Sequence, residues 1–304
     1  MGFRSRRLAV KPVRSVGTAR VTSRFPMVYR EKEAREEDRP AFVRAASGCA
    51  WWGDRLAVVQ DDASFIGLVD PQTGLAEVVT LPSVSGVRQF HRARGNRLDK
   101  PDLEAVFVLG EMLVAVGSGS LPVREVLCIC DPSPRWMDAS ALFAALSRAW
   151  PAGEMNLEGA TVLGDFIWLF RRATATSSDA VARIRVDGFS AWVRGGPLPP
   201  IEGAEAFSLG EIEGVRLGVT CATTWDGDVW ISAAAEDAPD AVEDGPVVGS
   251  AVGRIRTHSI DLWRVDAVVK VEGLARYGDG FVGVIDPDDP DVAADLLHII
   301  LEPS

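Results

Sequence analysis

The chain has few of the residues that carry metal, disulfide and acid–base chemistry. Its 304 residues include only 3 histidines, 4 cysteines and 2 tyrosines. Cys128 and Cys130 fall on the same face of one predicted strand, and no second Cys or His pair stands near them with the spacing of a zinc site. The sequence therefore predicts buried free thiols, which are typical of a reducing compartment.

Two further absences concern partners and location. A net charge of −11 argues against the basic face that nucleic acids and anionic membranes require. The sequence has no run of 18 or more apolar residues, so no transmembrane helix is predicted. Ser5-Arg6-Arg7 resembles a twin-arginine export signal, but Lys11 and Pro12 interrupt the apolar stretch that must follow. We expect a cytoplasmic protein without a nucleic-acid or membrane partner.

A short phrase recurs five times along the chain. Each copy has a glycine six residues after its first position, then an acidic residue and a new apolar strand. The glycines lie 57, 54, 63 and 51 residues apart. A repeat of this length, with several short strands in each copy, is typical of propeller blades. The five first positions are Ser47, Glu104, Glu158, Cys221 and Glu272.

The repeat predicts an all-β fold, a single β-propeller domain over residues 1–304 with five four-stranded blades. A six-bladed ring, with another unit in the first 46 residues, is the alternative. The last copy runs out of chain after three strands, so an N-terminal strand at 7–16 is expected to complete it and close the ring. The predicted blades are 47–100, 101–153, 154–216, 217–268 and 269–304.

Two segments between the inner strands carry predictions of their own. Asp138–Trp150 has helical apolar spacing and an aspartate in a capping position, which predicts a short surface helix. Ser190–Arg194 reads as the fourth strand of the third blade.

Strand direction predicts where a site would lie. Neighbouring strands in a blade are antiparallel, so the start of each first strand and the end of each second strand share one face of the ring. Glu104, Glu158 and Glu272 should converge there, at the mouth of the axis. Together they could hold Ca²⁺, which prefers oxygen ligands. Alternatively, they accept backbone hydrogen bonds or pair with Arg171 and Arg172.

The same face gathers further candidates. Glu158 and His91 are candidate acid–base residues, although hydrogen bonding within the fold is the alternative role for each. The predicted ligand-binding residues are Asp61, Asp62, Asp102, Asn156, Arg171, Arg172, Glu236 and Asp237.

Several phrases together resemble an uncharacterised bacterial β-propeller family, from about residue 37 onward. That family is similar to the esterase-like phytase and SdiA-regulated propellers, which share Glu-Gly phrases at blade starts. The resemblance implies a propeller and permits a calcium-assisted hydrolase, but Ser47 and Cys221 depart from a full ring of acids. The phrases are Arg39-Pro-Ala-Phe-Val-Arg-Ala-Ala-Ser-Gly, Lys100-Pro-Asp-Leu-Glu-Ala, Gly117-Ser-Gly-Ser, Asn156-Leu-Glu-Gly-Ala, Ser232-Ala-Ala-Ala-Glu-Asp and Lys270-Val-Glu-Gly-Leu.

Two functions of different kinds fit these features. One is a metal-assisted hydrolase of an ester, lactone or phosphoester, or a binder of a polar small molecule, with its site at the axial mouth. The alternative is a non-enzymatic platform for a protein partner. The first should show close, buried ionisable groups in a concave pocket, and the second a broad exposed apolar patch.

Overall fold

A computed structural model describes residues 11–304 apart from 239, 241 and 244. The described residues form 22 strands and two α-helices, which confirms the all-β class. Among the helices that are described, none is long and apolar enough to cross a membrane. The strands of these residues form four sheets, one of them with nine strands. The five copies of the repeated phrase divide the strands after β2 into five sets, each of which contains one copy.

Strand bounds follow the chain. The N-terminal segment contributes β1 (Val13–Pro26) and β2 (Val28–Tyr29). The first set is β3 (Ala46–Trp52), β4 (Arg55–Gln60), β5 (Phe65–Val69) and β6 (Leu75–Thr80). The second set is β7 (Leu103–Leu109), β8 (Met112–Gly117), β9 (Val126–Cys130) and β10 (Pro134–Asp138). The third set is β11 (Leu157–Leu163), β12 (Phe166–Arg171), β13 (Asp179–Arg185) and β14 (Ala204–Phe207).

The last two sets complete the architecture. The fourth set is β15 (Glu211–Ile212), β16 (Val215–Trp225), β17 (Asp228–Glu236), β18 (Val247–Ile255) and β19 (Ile260–Val265). The fifth set is β20 (Gly273–Tyr277), β21 (Gly280–Ile285) and β22 (Asp295–Pro303). Short 3₁₀ helices lie at Arg35–Glu37, Arg92–Arg94, Arg97–Asp99 and Pro122–Arg124.

The N-terminal strand joins the fourth and fifth sets. β1 pairs antiparallel with β22 and parallel with β19, so the two sets form one nine-stranded sheet. β1 therefore lies between β19 and β22, the last strand of the chain. The sequence placed this strand at 7–16. Residues 7–10 lie outside the described part of the chain, and β1 extends ten residues further, to Pro26.

The strand predicted at Ser190–Arg194 is wrong. Val186–Trp192 is the α-helix α2, and the fourth strand of this set is β14. Phe189 and Trp192 are three residues apart, which puts both on one helical face, where they are buried. The helix predicted at 138–150 is present as α1 (Ser140–Ala149) and buries an apolar stripe, Leu142, Phe143 and Leu146.

Apolar clusters fill the spaces between neighbouring sets. Within the described residues, five such clusters each combine side chains of two sets: first with second, second with third, third with fourth, fourth with fifth, and fifth with first. The aromatic pair Phe107 and Phe189, at 5.6 Å between ring centroids, is one such contact between the second and third sets. Burial of these faces is the main favourable term holding the sets together.

The strands that carry the repeated phrase are β3, β7, β11, β16 and β20, here called the first strands, and they lie side by side. β3 contacts β7, β7 contacts β11, β11 contacts β16, β16 contacts β20, and β20 contacts β3. Glycine permits these approaches. A Cβ atom on Gly48 would lie 2.8 Å from the carbonyl oxygen of Glu104, and one on Gly273 would lie 3.0 Å from the amide nitrogen of Cys49. Both distances are too short for a side chain, so the backbones approach only because these residues have none.

Asp179 ties the third set to the fourth. Its Oδ1 accepts hydrogen bonds from the amides of Ala173 at 3.0 Å and Val219 at 2.9 Å. Its Oδ2 is buried without a hydrogen-bond partner. Burial raises the pKa of Asp179 to about 7, against the lowering effect of the two amides.

We predict that Asp179→Ala lowers the free energy of unfolding, because it leaves two buried amides unpaired at roughly 1–3 kcal/mol each. Asp179→Asn keeps the acceptor and is the matched control. In the wild type, stability should fall as pH rises from about 4 to about 7, since the unfolded chain releases this proton first. Urea denaturation across that range measures both effects. Equal stability of the Ala and Asn variants would contradict the prediction.

Candidate functional site

A β-bulge lies at the first residue of the repeated phrase in three of the five copies and one residue before it in the fourth. Strand pairing skips Ser47 in β3, Glu104 in β7, Glu158 in β11 and Thr220 in β16. A bulge leaves the extra residue out of the ladder and re-aims its side chain. In the fifth copy, Glu272 lies directly before β20. The bulges therefore give these five side chains an orientation that regular strand alternation would not.

The fourth copy departs from the sequence prediction, which placed Cys221 at this position. In the other copies glycine is the first residue of the hairpin loop, whereas the loop between β16 and β17 is Asp226–Gly227, with glycine second. Counting back six residues from that glycine therefore ends one residue too late. Thr220 holds the position instead, and its hydroxyl donates to the carbonyl of Val271 at 2.5 Å.

A cavity of about 400 Å³ opens beside these residues. It brings together Glu104, Glu158 and Glu272, the three glutamates that strand direction predicts on one face. The other predicted site residues that line it are Asp61, Asp102, Asn156, Arg172, Glu236 and Asp237. Four more basic residues line it too, Lys100, Arg124, Arg216 and Lys270. The floor of the cavity is thus built from ionisable side chains of both signs.

One group of five side chains, here called the Lys270 cluster, occupies one part of the cavity. Lys270 Nζ lies 2.7 Å from Glu272 and 3.0 Å from Glu236. Arg172 lies 2.7 Å from Glu236 and 3.3 Å from Glu158. Two basic groups therefore serve three carboxylates, and all five side chains are nearly inaccessible to solvent.

A second group, here called the Lys100 cluster, has the same composition. Lys100 Nζ lies 2.6 Å from Asp102 and also pairs with Asp61. Arg124 pairs with Asp102 at 2.8 Å. Glu104 is its third carboxylate, within 4.8 Å of both aspartates. Two basic groups again serve three carboxylates.

Burial and the charges of neighbouring groups give the three carboxylates of the Lys270 cluster different pKa values. Burial alone would raise the pKa of Glu236, but Lys270, Arg172 and the Gly245 amide lower it to about 2. Burial raises the pKa of Glu272 to about 8 despite the opposing charge of Lys270. Burial also raises the pKa of Glu158, and Arg172 opposes the rise. Neighbouring carboxylates with pKa values this far apart are typical of functional sites.

The Lys100 cluster shows a similar separation. Burial raises the pKa of Glu104 well above its usual range, and the charges of Asp102 and Glu158 raise it further. The pKa of Asp102 is lowered instead, because Lys100 and Arg124 outweigh its burial. Asp102 is therefore ionised at neutral pH, and Glu104 is the carboxylate whose charge lacks compensation.

Three carboxylates have the spacing of cation ligands. Oxygens of Asp61, Asp102 and Glu104 lie within 4.8 Å of one another. Such an oxygen-only set suits a hard divalent cation such as Ca²⁺. The sequence predicted Glu104, Glu158 and Glu272 as ligands, and Glu104 alone belongs to both sets. Glu158 and Glu272 instead bind the basic groups of the Lys270 cluster.

The sequence predicted Arg171 as a ligand-binding residue beside Arg172, but the structure places it elsewhere. Its guanidinium donates to the carbonyls of Pro151 and Ser178 and lies over the ring of Trp150. Successive residues of a strand point to opposite faces, so Arg171 and Arg172 could not both reach the cavity. This residue has a structural role in the third set.

His91 and Asp62 line a neighbouring cavity of about 300 Å³, which shares Asp61 and Lys100 with the larger one. Asp62 pairs there with Arg44. The Nδ1 atom of His91 is buried without a hydrogen-bond partner, and burial and Arg44 lower the pKa of the imidazole. His91 is therefore neutral at pH 7, beside the main cavity rather than in it.

Two of the basic residues of the site, Lys100 and Lys270, could have been identified from the sequence. Lys100 and Lys270 each stand two residues before a cavity acid, Asp102 and Glu272. Side chains two residues apart in an extended segment point to the same side. Arg124 is the last residue of the 3₁₀ helix Pro122–Arg124 in the connection between β8 and β9, and it reaches Asp102 from there, so no local pattern could identify it.

Comparison with known proteins places the chain in a family. Residues 42–301 match a family of unknown function (DUF6929), and the chain belongs to it. No curated protein matches. The fold is similar to that of a glutaminyl cyclase from Myxococcus xanthus, with a TM-score of 0.53 and 9% identity over 97% of this chain and 100% of that chain. A Bacteroides fragilis NCTC 9343 protein described as exported has a TM-score of 0.44 and 8% identity, covering 96% and 99%.

The likeness to the glutaminyl cyclase supports an all-β fold. At 9% identity, the likeness to the glutaminyl cyclase concerns the fold alone. The relation to esterase-like phytase and SdiA-regulated propellers stays a prediction from the quoted phrases. What characterises the site of this chain is the acid-rich cavity with the Lys100 and Lys270 clusters.

We predict that Lys270→Met lowers the free energy of unfolding by roughly 3–5 kcal/mol, because it removes one of the two basic groups that pair with the buried, ionised Glu236. The double variant Lys270→Met/Glu236→Gln should recover part of that loss, since it also removes the carboxylate that is left short of positive charge. Lys32→Met, at an exposed position, is the control. Urea denaturation at pH 7 measures all three, and a loss no larger than that of the control would refute the ion-pair network.

Proposed function

We propose that the chain is a five-bladed β-propeller with a ligand site at the mouth of its axis. Five strand sets, five apolar clusters between them and the ordered contacts of their first strands support this architecture. The described part of the N-terminal segment adds β1 and β2 to the fifth and first sets, which favours five blades over six. β1 would then close the ring by completing the last blade.

The cavity, in this proposal, binds a polar small molecule together with a divalent cation. The observation that carries it is the set of Asp61, Asp102 and Glu104, whose oxygens lie within 4.8 Å of one another in a concave, ionisable pocket. Asp61 Oδ1 is also buried without a hydrogen-bond partner. A cation there would supply the positive charge that Lys100 and Arg124 leave short.

Charge balance narrows the ligand class. Lys100, Arg124, Arg172 and Lys270 are all paired with carboxylates. A phosphate or carboxylate ligand would therefore add negative charge to a floor that already has an excess of it. Neutral, oxygen-rich molecules fit better, and a bound Ca²⁺ would also allow an anionic group to approach.

Hydrolysis of an ester, lactone or phosphoester is the reaction we propose for this site. A cation held by the Lys100 cluster would polarise the oxygen of the scissile group. Glu158 lines the same cavity with a raised pKa and could accept a proton from the attacking water. His91 lies in the neighbouring cavity, which makes it the weaker candidate base.

A protein-interaction platform fits the surface less well. The large apolar side chains that are exposed in the described residues belong to six separate positions along the chain, Val13, Leu98, Val123, Val268, Val292 and Ile300. A platform calls for a contiguous patch. For location we retain the cytoplasm, on the basis of net charge and of four cysteines that are all buried free thiols.

We predict that Ca²⁺ raises the melting temperature, because a cation that binds only the folded state stabilises it. Asp61→Asn and Glu104→Gln should each abolish most of the shift. Glu77→Gln, at an exposed carboxylate of β6, is the matched control and should leave it unchanged. Differential scanning fluorimetry with Ca²⁺, Mg²⁺ and Mn²⁺, after chelation and dialysis, is the measurement. If none of the three metals shifts the wild type, the cation site is rejected.

We also predict hydrolysis of at least one lactone, ester or phosphoester in a screen with Ca²⁺ present. Glu158→Gln should lower the rate about 10²-fold or more if Glu158 is the base. His91→Gln should have a smaller effect, since His91 lies outside the main cavity. Stopped assays with each purified variant give the comparison. A larger loss in His91→Gln than in Glu158→Gln would reverse the assignment.

A further inference from the structure

The three carboxylates of the Lys270 cluster are held unequally. Glu236 accepts hydrogen bonds from Lys270, Arg172 and the amide of Gly245. Glu158 accepts from Arg172 and from the side-chain amide of Asn156. A carboxylate that accepts several donors keeps its charge when buried. Both of these groups therefore have more support for the ionised form than the third.

Glu272 is the carboxylate with least support. Its side chain is only 7% exposed, and its Oε1 accepts from Lys270 at 2.7 Å. Its Oε2 is buried and has no hydrogen-bond partner, although the residue lines the cavity. Lys270 is shared with Glu236, which lies 3.0 Å away. A buried carboxylate oxygen without a donor is costly as an anion but not as a hydroxyl.

We propose that Glu272 holds a proton at neutral pH and donates it, as a hydrogen bond from Oε2, to an acceptor oxygen of the ligand. The inference rests on the proposed function for the presence of a ligand in this cavity. It assigns Glu272 a binding role of its own, separate from the carboxylates that would hold a cation. The preferred ligand then offers a neutral carbonyl or ring oxygen to Glu272.

The surroundings of Glu272 agree with this state. Lys270 on its own segment and Arg172 after β12 favour the ionised form, whereas burial and the charge of Glu158 in β11 oppose it. The balance raises the pKa of Glu272 to about 8. The remaining titratable neighbours are Glu236 at the end of β17 and the buried thiol of Cys221 in β16. Below pH 8 the group therefore carries its proton.

The two clusters then differ in what they offer a ligand. The Lys100 cluster concentrates carboxylate oxygens within 4.8 Å, where a cation fits. The Lys270 cluster offers a hydroxyl donor at Glu272 instead. A ligand with two acceptor oxygens, such as a lactone or an ester, can meet both. A protonated amine has no anionic partner at Glu272 and is disfavoured there.

Carboxyl-¹³C glutamate NMR of the full chain tests the protonation state. The resonance that vanishes in Glu272→Gln should titrate near pH 8 and should remain in Glu158→Gln. The pKa of Glu104 is also raised, so Glu104→Gln identifies that resonance separately. Gln approximates the protonated side chain in size and keeps an N–H donor, so the variant should fold. A Glu272 resonance that titrates below about pH 6 would overturn the proposal, because the group would then be an ordinary anion at neutral pH.

A matched pair of ring compounds tests the ligand class. δ-Valerolactam is a stable neutral analogue of a lactone, and piperidine is its charged amine counterpart. At pH 7 the lactam should raise the melting temperature more than piperidine does. The lactam shift should disappear in the wild type at pH 9.5, where Glu272 is ionised, but persist in Glu272→Gln. A larger shift with piperidine, or no shift with the lactam, overturns the ligand class.

Calorimetric Ca²⁺ binding separates this inference from the proposed function. Glu272→Gln should bind Ca²⁺ as the wild type does, because the cation ligands are Asp61, Asp102 and Glu104. Absence of Ca²⁺ binding together with a resonance that titrates near pH 8 would reject the cation site and retain the protonated Glu272. Normal Ca²⁺ binding together with a Glu272 resonance that titrates below about pH 6 would retain the cation site and reject the protonated Glu272.

Discussion

The close approach of the five first strands is the constraint on which the cavity depends. Gly48 and Gly273 lie where any side chain would collide with the backbone of the neighbouring first strand. A Cβ atom on Gly159 would likewise lie 3.0 Å from the amide of Ala222. Each of these glycines follows a residue of the cavity, so the packing requirement and the site occupy adjacent positions. The Glu-Gly phrase is therefore a structural unit: glycine brings the strands together, and the residue before it points into the space they enclose.

The two positions without an acid complement the three that have one. Ser47 donates its hydroxyl to the carbonyl of Leu103, and Thr220 donates to that of Val271. These carbonyls belong to the residues directly before Glu104 and Glu272. The hydroxyls thus fasten the backbone that presents each neighbouring glutamate. Two neutral residues among these five positions also limit the repulsion among buried carboxylates, which five acids side by side would increase.

Sequence patterns predicted the features that follow from strand period and direction. The repeated phrase and the apolar run after each glycine predicted the strands, and strand direction placed Glu104 with Glu158 and Glu272. The prediction of Cys221 at the fourth position was wrong, because it depended on backbone geometry that a sequence pattern does not show. A bulge and a shifted hairpin loop moved the fourth position from Cys221 to Thr220, and neither leaves a hydrophobic signature.

Sequence patterns did not predict three other features, each for a different physical reason. Val186–Trp192 contains aromatic residues that suit a strand as well as a helix, and tertiary burial of Phe189 and Trp192 decided the outcome. Arg124 reaches Asp102 from the connection between β8 and β9, 22 residues away in sequence. Adjacent arginines at 171 and 172 looked equivalent in the sequence, yet the strand sends them to opposite sides. Charge partners across sheets depend on side-chain placement that no local pattern encodes.

The Lys100 and Lys270 clusters contain the same numbers of acidic and basic groups, and they differ in how these groups are arranged. Each contains three carboxylates and two basic groups, so each is one positive charge short when every acid is ionised. A buried site can resolve that deficit with a bound cation or with a bound proton. In the Lys100 cluster the three carboxylates are close enough to share one ion. In the Lys270 cluster the basic groups lie between the acids and separate them, which leaves a proton on the least supported acid as the remaining solution. The arrangement of identical charges, rather than their number, therefore sets the chemistry that each side of the cavity can offer.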